Sequence, residues 1–161
     1  MVQFPGPAHP TGETGGHVLD ETDRRILTEL ARDGRMSMRT LAEKLHISRA
    51  NAYSRVARLQ ETGVIRGYHA DVDPVAAGLT TAAYVTLNLQ QANWREVLGR
   101  LHALPGVVHI GLVGGDFDVI LLVRVADNTE LRHLVLDEIQ GMPGVNSTRT
   151  LLLFEESTPR T

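Results

Sequence analysis

The motif Pro-Gly-Val occurs twice in the second half of the chain, at residues 105–107 and 143–145. Each copy follows a segment with apolar residues at helical spacing and precedes an apolar run that is typical of a strand. Another apolar run stands before each helical segment, so one strand–helix–strand unit is present twice. Two such units fold as a four-stranded antiparallel sheet with both helices on one face. The duplication predicts this domain over residues 80–156.

The predicted strands carry more apolar residues than one layer of helices can cover. These residues are Thr86, Leu87, Leu121, Val123, Leu151 and Leu153. We expect the open face of the sheet to pack against a second copy of the chain, which gives a homodimer.

Residues 19–67 contain three predicted helices. Asp20, Ser37 and Ser48 are suitable N-caps, and Gly34 is a suitable stop for the first helix. Residues 38–65 form two of these helices around a tight turn at 45–47, and the last helix is rich in arginine. This pattern predicts a helix-turn-helix, which lays its second helix in the DNA major groove.

The charge distribution supports a polyanion-binding surface in the same segment. Residues 35–69 contain seven basic and two acidic side chains, a net charge of +5. The whole chain has a net charge of −3, so the remainder carries −8. Such asymmetry is typical of a domain that binds nucleic acid.

On the third helix, Ala52, Val56 and Leu59 form the predicted buried stripe. Side chains near the N-terminus of the helix are placed to meet base edges, and Arg55 and Arg58 to meet phosphates. The alternative is that these two arginines are solvated or ion-paired. The predicted DNA-contacting residues are Arg39, Ser48, Arg49, Asn51, Ser54, Arg55 and Arg58.

The remaining segments set the domain boundaries. Residues 1–18 are rich in Gly, Pro, Thr and His and predict a disordered extension. Residues 64–72 alternate apolar with polar side chains and predict a half-buried strand. Residues 68–79, with Asp73-Pro74 and Gly78, predict a hinge strand or linker, and residues 157–161 a C-terminal tail.

Composition excludes several classes of function. The chain has no cysteine, which removes disulfides and thiolate zinc sites. No apolar run reaches the length of a membrane helix, and no signal peptide is evident, so we expect a cytoplasmic, nucleoid-associated protein. His102, His109 and His133 lack metal-ligand spacing, and no cofactor motif is present, so we expect neither metal nor cofactor.

The order and spacing of several motifs resemble those of the Lrp/AsnC (leucine-responsive or feast/famine) transcription regulators. These motifs are Leu19-Asp20, Ile47-Ser48, Arg55, Arg58-Leu59, GVIRGY at 63–68, Asp73-Pro74, LVGGDFD at 112–118 and PGVNSTRT at 143–150. The resemblance implies an α+β architecture. It pairs an N-terminal helix-turn-helix (winged-helix-like) domain with a C-terminal ferredoxin-like βαββαβ domain for oligomerisation and effector sensing.

The resemblance also implies partners: double-stranded DNA, and a small effector, an amino acid or related metabolite, bound between dimers. The homodimers of such regulators assemble further into tetramers or octamers. The implied effector-binding residues are Gly114, Gly115, Asp116, Asp118, Thr148 and Thr150. Two positions depart from the usual pattern: Gly114 replaces a common Ser or Thr, and Val119 replaces a common aromatic residue.

Two alternatives stay open at this point. The protein could be an architectural DNA-binding protein without an effector, whose second domain only oligomerises. A more remote alternative is a small-molecule enzyme on the sheet domain, since Asp116 and Asp118 would share one face of a strand. The chain lacks the other motifs that an enzyme of that kind needs.

Overall fold

A computed structural model of the chain describes residues 18–90 and 93–156. Their contacts divide them into two compact units, residues 18–71 and residues 72–156. The division lies within the predicted linker at 68–79. The predicted tail lies outside the described residues, as does the predicted extension apart from Val18. No described helix is long and apolar enough to cross a membrane.

The first unit, which we call the reader domain, consists of three helices. They are α1 (Glu21–Arg32), α2 (Met38–Leu45) and α3 (Arg49–Glu61). The side chains of Asp20, Ser37 and Ser48 each accept a hydrogen bond from the first turn of the helix that follows. The three predicted caps are confirmed, because such oxygens satisfy backbone N–H groups that a helix leaves unpaired.

An apolar core joins the three helices of the reader domain. It contains Ile26, Leu30, Leu41, Leu45, Val56 and Leu59, and Ile47 packs against it from the turn. Ala52 is also fully buried, so the predicted inner stripe of α3 is confirmed. His46 ends α2 in the left-handed region at φ +56°, and this residue reverses the chain into α3.

The second unit, the sheet domain, contains four strands and two helical segments. Its elements are β1 (Thr81–Leu89), α4 (Trp94–Ala103), β2 (Val107–Leu112), β3 (Val119–Val125), α5 (Asn128–Arg132), a π-helical continuation (His133–Ile139) and β4 (Val145–Leu153). The sheet order is β2-β3-β1-β4 with antiparallel pairing throughout. The predicted ferredoxin-like arrangement is confirmed.

The two Pro-Gly-Val motifs have the same backbone conformation. Gly106 and Gly144 take φ values of +86° and +98°, which favour glycine. A Cβ at either position would also lie 3.0 Å from a valine side chain of the core, Val125 or Val97. The duplicated motif is therefore a glycine turn that brings the end of each helix close to the sheet.

The two helices of the sheet domain begin differently. Asp127 caps α5, because its carboxylate accepts from two backbone N–H groups. Asn93 is the N-cap residue of α4, but its side chain makes no capping hydrogen bond.

The predicted surplus of apolar strand residues was wrong in part. Leu87, Leu121 and Val123 belong to the buried, helix-covered face of the sheet, since their register places them beside the core residues.

The predicted strand at residues 64–72 is also wrong. Within residues 18–71 no second strand exists with which it could pair, and alternation without a partner does not make a strand. Instead, the backbone N–H of Ile65 donates to the carbonyl of Leu59, and Ile65 packs against the reader core. The described reader domain is thus a helix-turn-helix without a β-wing.

Candidate nucleic-acid interface and effector site

The exposed side of α3 begins at its first turn. Arg49, Asn51 and Ser54 are exposed there, as predicted for residues that meet DNA. Within the described residues, the side chain of Arg49 makes no ion pair or hydrogen bond. Tyr53, which was not among the predicted DNA-contacting residues, is 62% exposed on the same side. Its exposure could have been predicted, because Tyr53 lies outside the buried stripe of Ala52, Val56 and Leu59.

Arg55 and Arg58 occupy a different environment. The Nη1 of Arg55 lies 2.7 Å from Oδ2 of Asp20 and 2.8 Å from Oδ1 of Asp23. The Nη2 of Arg58 lies 3.0 Å from each carboxylate oxygen of Asp23. Both arginines therefore bind the first turn of α1, which is the ion-paired alternative that the sequence left open for them.

Asp23 is the buried centre of this ion-pair network. Its side chain is 1% exposed, whereas those of Arg55 and Arg58 are 21% and 41% exposed. Burial alone would raise the pKa of Asp23, but hydrogen bonds from Arg55 and from the backbone N–H of Asp20 lower it below its ordinary value. The carboxylate is therefore held in its charged form.

The partners of Asp23 are perturbed in the same sense. A hydrogen bond from the backbone N–H of Asp23 and another from Arg55 lower the pKa of Asp20. Hydrogen bonds to Asp20 and Asp23 raise the pKa of Arg55. From the sequence, Asp20 was predicted only as the cap of α1. The network itself was not predicted, because Asp23 and Arg55 are far apart in the chain.

The other two predicted DNA-contacting residues, Ser48 and Arg39, precede α3 in the chain and are both exposed. Ser48 is exposed and caps α3, with its Oγ 3.2 Å from the backbone nitrogen of Asn51. Arg39 is exposed on α2, and its Nε lies 2.9 Å from Oε1 of Glu43. An exposed pair of this kind is weak, so it leaves Arg39 available to a phosphate.

The predicted effector residues begin in the turn between β2 and β3. Gly114, Gly115 and Asp116 are all exposed there. Gly115 takes φ +135°, a conformation that side chains disfavour. The turn therefore presents backbone N–H groups and the Asp116 carboxylate directly to solvent, as a polar ligand would require.

Asp118 has a structural role at the base of the turn. Its backbone N–H donates to the carbonyl of Leu87 at 2.9 Å. Its Oδ2 accepts from the backbone N–H of Leu89 at 2.7 Å. Asp118 thereby ties the start of β3 to the end of β1.

A cleft of about 390 Å³ lies next to Asp118. Asp118 lines it together with Leu89, Trp94, Leu112 and Val113. Trp94 also packs against the sheet-domain core, and the guanidinium of Arg95 lies 4.5 Å from its ring centroid. The walls are apolar apart from one carboxylate, which suits a small ligand with an apolar side chain.

Thr148 and Thr150 lie on β4, away from that cleft. Their partners across the ladder are Leu87 and Val85 of β1. Asp118 contacts Leu87 from the β3 side, so β1 separates it from Thr148. The structure brings Gly114, Gly115, Asp116 and Asp118 together and leaves the two threonines on another strand. Within the described residues, no three His, Asp or Glu side chains are grouped as a metal site requires.

Comparisons with known proteins identify both units. A family model described as winged helix-turn-helix DNA-binding matches residues 19–66. A second model, the Lrp/AsnC ligand binding domain, matches residues 82–161. The order of the two matches is the order of the reader and sheet domains.

Relatives match nearly the whole chain. The HTH-type transcriptional regulator AldR of Mycolicibacterium smegmatis is 37% identical over 157 residues, which cover 96% of this chain and 90% of AldR. The leucine-responsive regulatory protein of Haemophilus influenzae is 37% identical over 141 residues, covering 86% and 85%. A transcriptional regulator of Neisseria meningitidis, crystallised with L-Met, shares the fold, with TM-score 0.83, 24% identity and coverage of 89% and 95%.

These relatives are named transcriptional regulators, and they exclude the enzymatic alternative. The fold, the two family matches and the identity to full-length relatives agree with the resemblance that the sequence motifs gave. The chain belongs to the Lrp/AsnC family, and it is a DNA-binding transcriptional regulator with a C-terminal ligand-binding domain.

Proposed function

We propose that the protein binds specific DNA sites through the exposed side of α3, and that a small effector in the sheet domain modulates binding or assembly. The first part of the proposal rests on the different contacts that the three arginines of α3 make. Arg49 is exposed and unpaired within the described residues, while Arg55 and Arg58 bind α1. The proposed reading surface is therefore Arg49, Asn51, Tyr53 and Ser54, with Ser48 and Arg39 at its edge.

The effector that we propose is an apolar L-amino acid or a related acid, bound where dimers meet. The apolar cleft beside Trp94 suits its side chain, and the exposed Asp116 suits an ammonium group. The N–H groups of the Gly114-Gly115 turn suit a carboxylate. Relatives support this proposal, since one is named leucine-responsive and a regulator of the same fold was crystallised with L-Met.

Trp94 is the only tryptophan of the chain, so its fluorescence reports on this cleft. We would titrate the protein with proteinogenic amino acids and related acids, with and without promoter DNA, following Trp94 emission and thermal stability. At least one apolar amino acid should change both, and Asp116→Asn should weaken its binding roughly tenfold. The matched control Asp137→Asn, a carboxylate outside the turn, should leave binding unchanged.

If no ligand changes Trp94 emission, thermal stability or DNA affinity, the effector part of the proposal is wrong. The architectural alternative then describes the protein. If a ligand binds but Asp116→Asn has no effect, the site lies elsewhere in the sheet domain.

We further propose that the open face of the sheet forms the homodimer. Tyr84 and Leu122 are half-buried on this face, and Leu151 is 50% exposed beside Tyr84. Light scattering should show that Leu151→Lys converts dimers to monomers. Leu152→Lys is the matched control, because Leu152 is 49% exposed and points to the opposite face of the same strand. A dimer that survives Leu151→Lys would contradict this assignment.

A further inference from the structure

The exposed side chain of Asn51 is tied to its own helix. Its Oδ1 accepts a hydrogen bond from Nε of Arg55, one turn later, at 2.9 Å. The Nη1 of Arg55 is in turn held by Asp20 and Asp23 of α1. A chain of hydrogen bonds therefore runs from the buried carboxylate of Asp23 to the surface of α3.

This chain fixes which end of the carboxamide faces outward. A guanidinium group only donates hydrogen bonds, so the atom of Asn51 that faces Arg55 must be the carbonyl oxygen. The amide nitrogen then points away from Arg55 with both hydrogens available. The oxygen keeps a second lone pair, so Asn51 can still offer the paired donor and acceptor that recognise the major-groove edge of adenine.

Arg58 provides an internal comparison. It binds the same carboxylate, Asp23, through its Nη2, but it makes no hydrogen bond to Asn51. The two arginines thus both dock α3 on α1 through Asp23, and Arg55 additionally binds Asp20 and Asn51. Replacing one arginine at a time therefore distinguishes an effect on the docking of α3 from an effect on the orientation of Asn51.

We infer that Arg55 is a positioning residue for sequence recognition: it orients the carboxamide of Asn51 so that α3 reads one base pair in each half-site. The inference rests on the proposed role of Asn51 at the DNA surface. Arg55 itself touches no base in this scheme, and adenine is the base that we expect at the position read by Asn51.

The test is selection of binding sites from a randomised double-stranded DNA pool by the full-length protein and three variants. Asn51→Ala and Arg55→Met should lose the preference at the same single base-pair position. Arg58→Met should keep it. Affinities for the selected site and its single-base variant should differ roughly tenfold for the wild type and become nearly equal for Asn51→Ala and Arg55→Met.

Arg55→Lys covers the possibility that Arg55→Met does not fold. Lysine keeps a charge for Asp20 and Asp23 but cannot hold Asn51 and both carboxylates with a planar fork. It should preserve the circular dichroism spectrum and still lose the preference at that position.

Three results would be decisive against parts of the scheme. If folded Arg55 variants keep the preference, the inference is wrong. If Arg55→Met and Arg58→Met lose it equally, the arginines act only by docking α3, which also overturns the inference. If the wild type selects no motif, the proposed sequence-specific function fails instead.

Discussion

The two domains bury different kinds of residue. In the described part of the sheet domain, the buried residues are apolar except for Thr86. The reader domain buries Asp23, which binds arginines from another helix. An apolar core tolerates small rotations of its helices, whereas an ion-pair network fixes one orientation because its hydrogen bonds are directional.

This difference in buried residues corresponds to a difference in the surfaces of the two domains. The sheet domain offers surfaces, an open sheet face and a cleft, that depend on overall packing. The reader domain presents single side chains on α3, so the rotation of that helix decides which of them face outward. A buried carboxylate at the α1–α3 contact is a suitable device for fixing this rotation.

The largest expected effect comes from a substitution in the apolar core of the sheet domain. Leu121 is fully buried in the sheet-domain core, so Leu121→Ala should lower the stability of that domain by about 3 kcal/mol. Urea denaturation followed by Trp94 fluorescence measures this domain, and the exposed Leu136→Ala is the control. An unchanged midpoint would show that Leu121 does not contribute to the core as its burial indicates.

The next largest effect comes from a substitution in the ion-pair network of the reader domain. Removing one partner of a buried ion pair lowers the free energy of unfolding by about 3–5 kcal/mol. Because the Arg58 side chain is 41% exposed, we expect a smaller loss for Asp23→Ala, about 2–3 kcal/mol. The loss should appear in the helical circular dichroism signal and not in Trp94 fluorescence. Asp33→Ala, at the other end of α1, serves as control. Equal losses in both signals would contradict a network confined to the reader domain.

The same network predicts a dependence on pH. Because the pKa values of Asp20 and Asp23 are lowered in the folded state, their contribution is fully present above the ordinary pKa of aspartate, about 4. It is lost as the pH falls through the lowered values. Denaturation midpoints between pH 7 and pH 2 should decline less steeply in Asp23→Asn than in the wild type. Parallel curves would show that Asp23 is not the titrating group.

The sequence predicted local features better than distant contacts. Caps such as Ser48, and the stripe of Ala52, Val56 and Leu59, follow from side-chain chemistry and helical spacing within a few residues. The Asp23–Arg55 pair spans 32 positions, and no local pattern reveals it. The predicted strand at 64–72 was wrong for the same reason, since only the fold shows that residues 18–71 contain no strand with which it could pair.

The effector site shows the same limit. Glycine and aspartate at 114–118 predict a polar turn, but the cleft depends on how Trp94 and Leu112 come together. Thr148 and Thr150 were assigned to the site by resemblance alone. Their register on β4 places them across β1 from Asp118, a relation that residue order does not contain.

The most direct test of the division among the α3 arginines is the salt dependence of DNA affinity. We would measure it for the wild type, Arg49→Met and Arg58→Met, after circular dichroism has shown that each is folded. Because Arg49 brings to the DNA surface a positive charge that is unpaired within the described residues, Arg49→Met should lower the slope of log affinity against log salt by about 0.9, the value for one neutralised phosphate. The slope should stay at the wild-type value for Arg58→Met. A reduced slope for Arg58→Met with an unchanged slope for Arg49→Met would contradict the account.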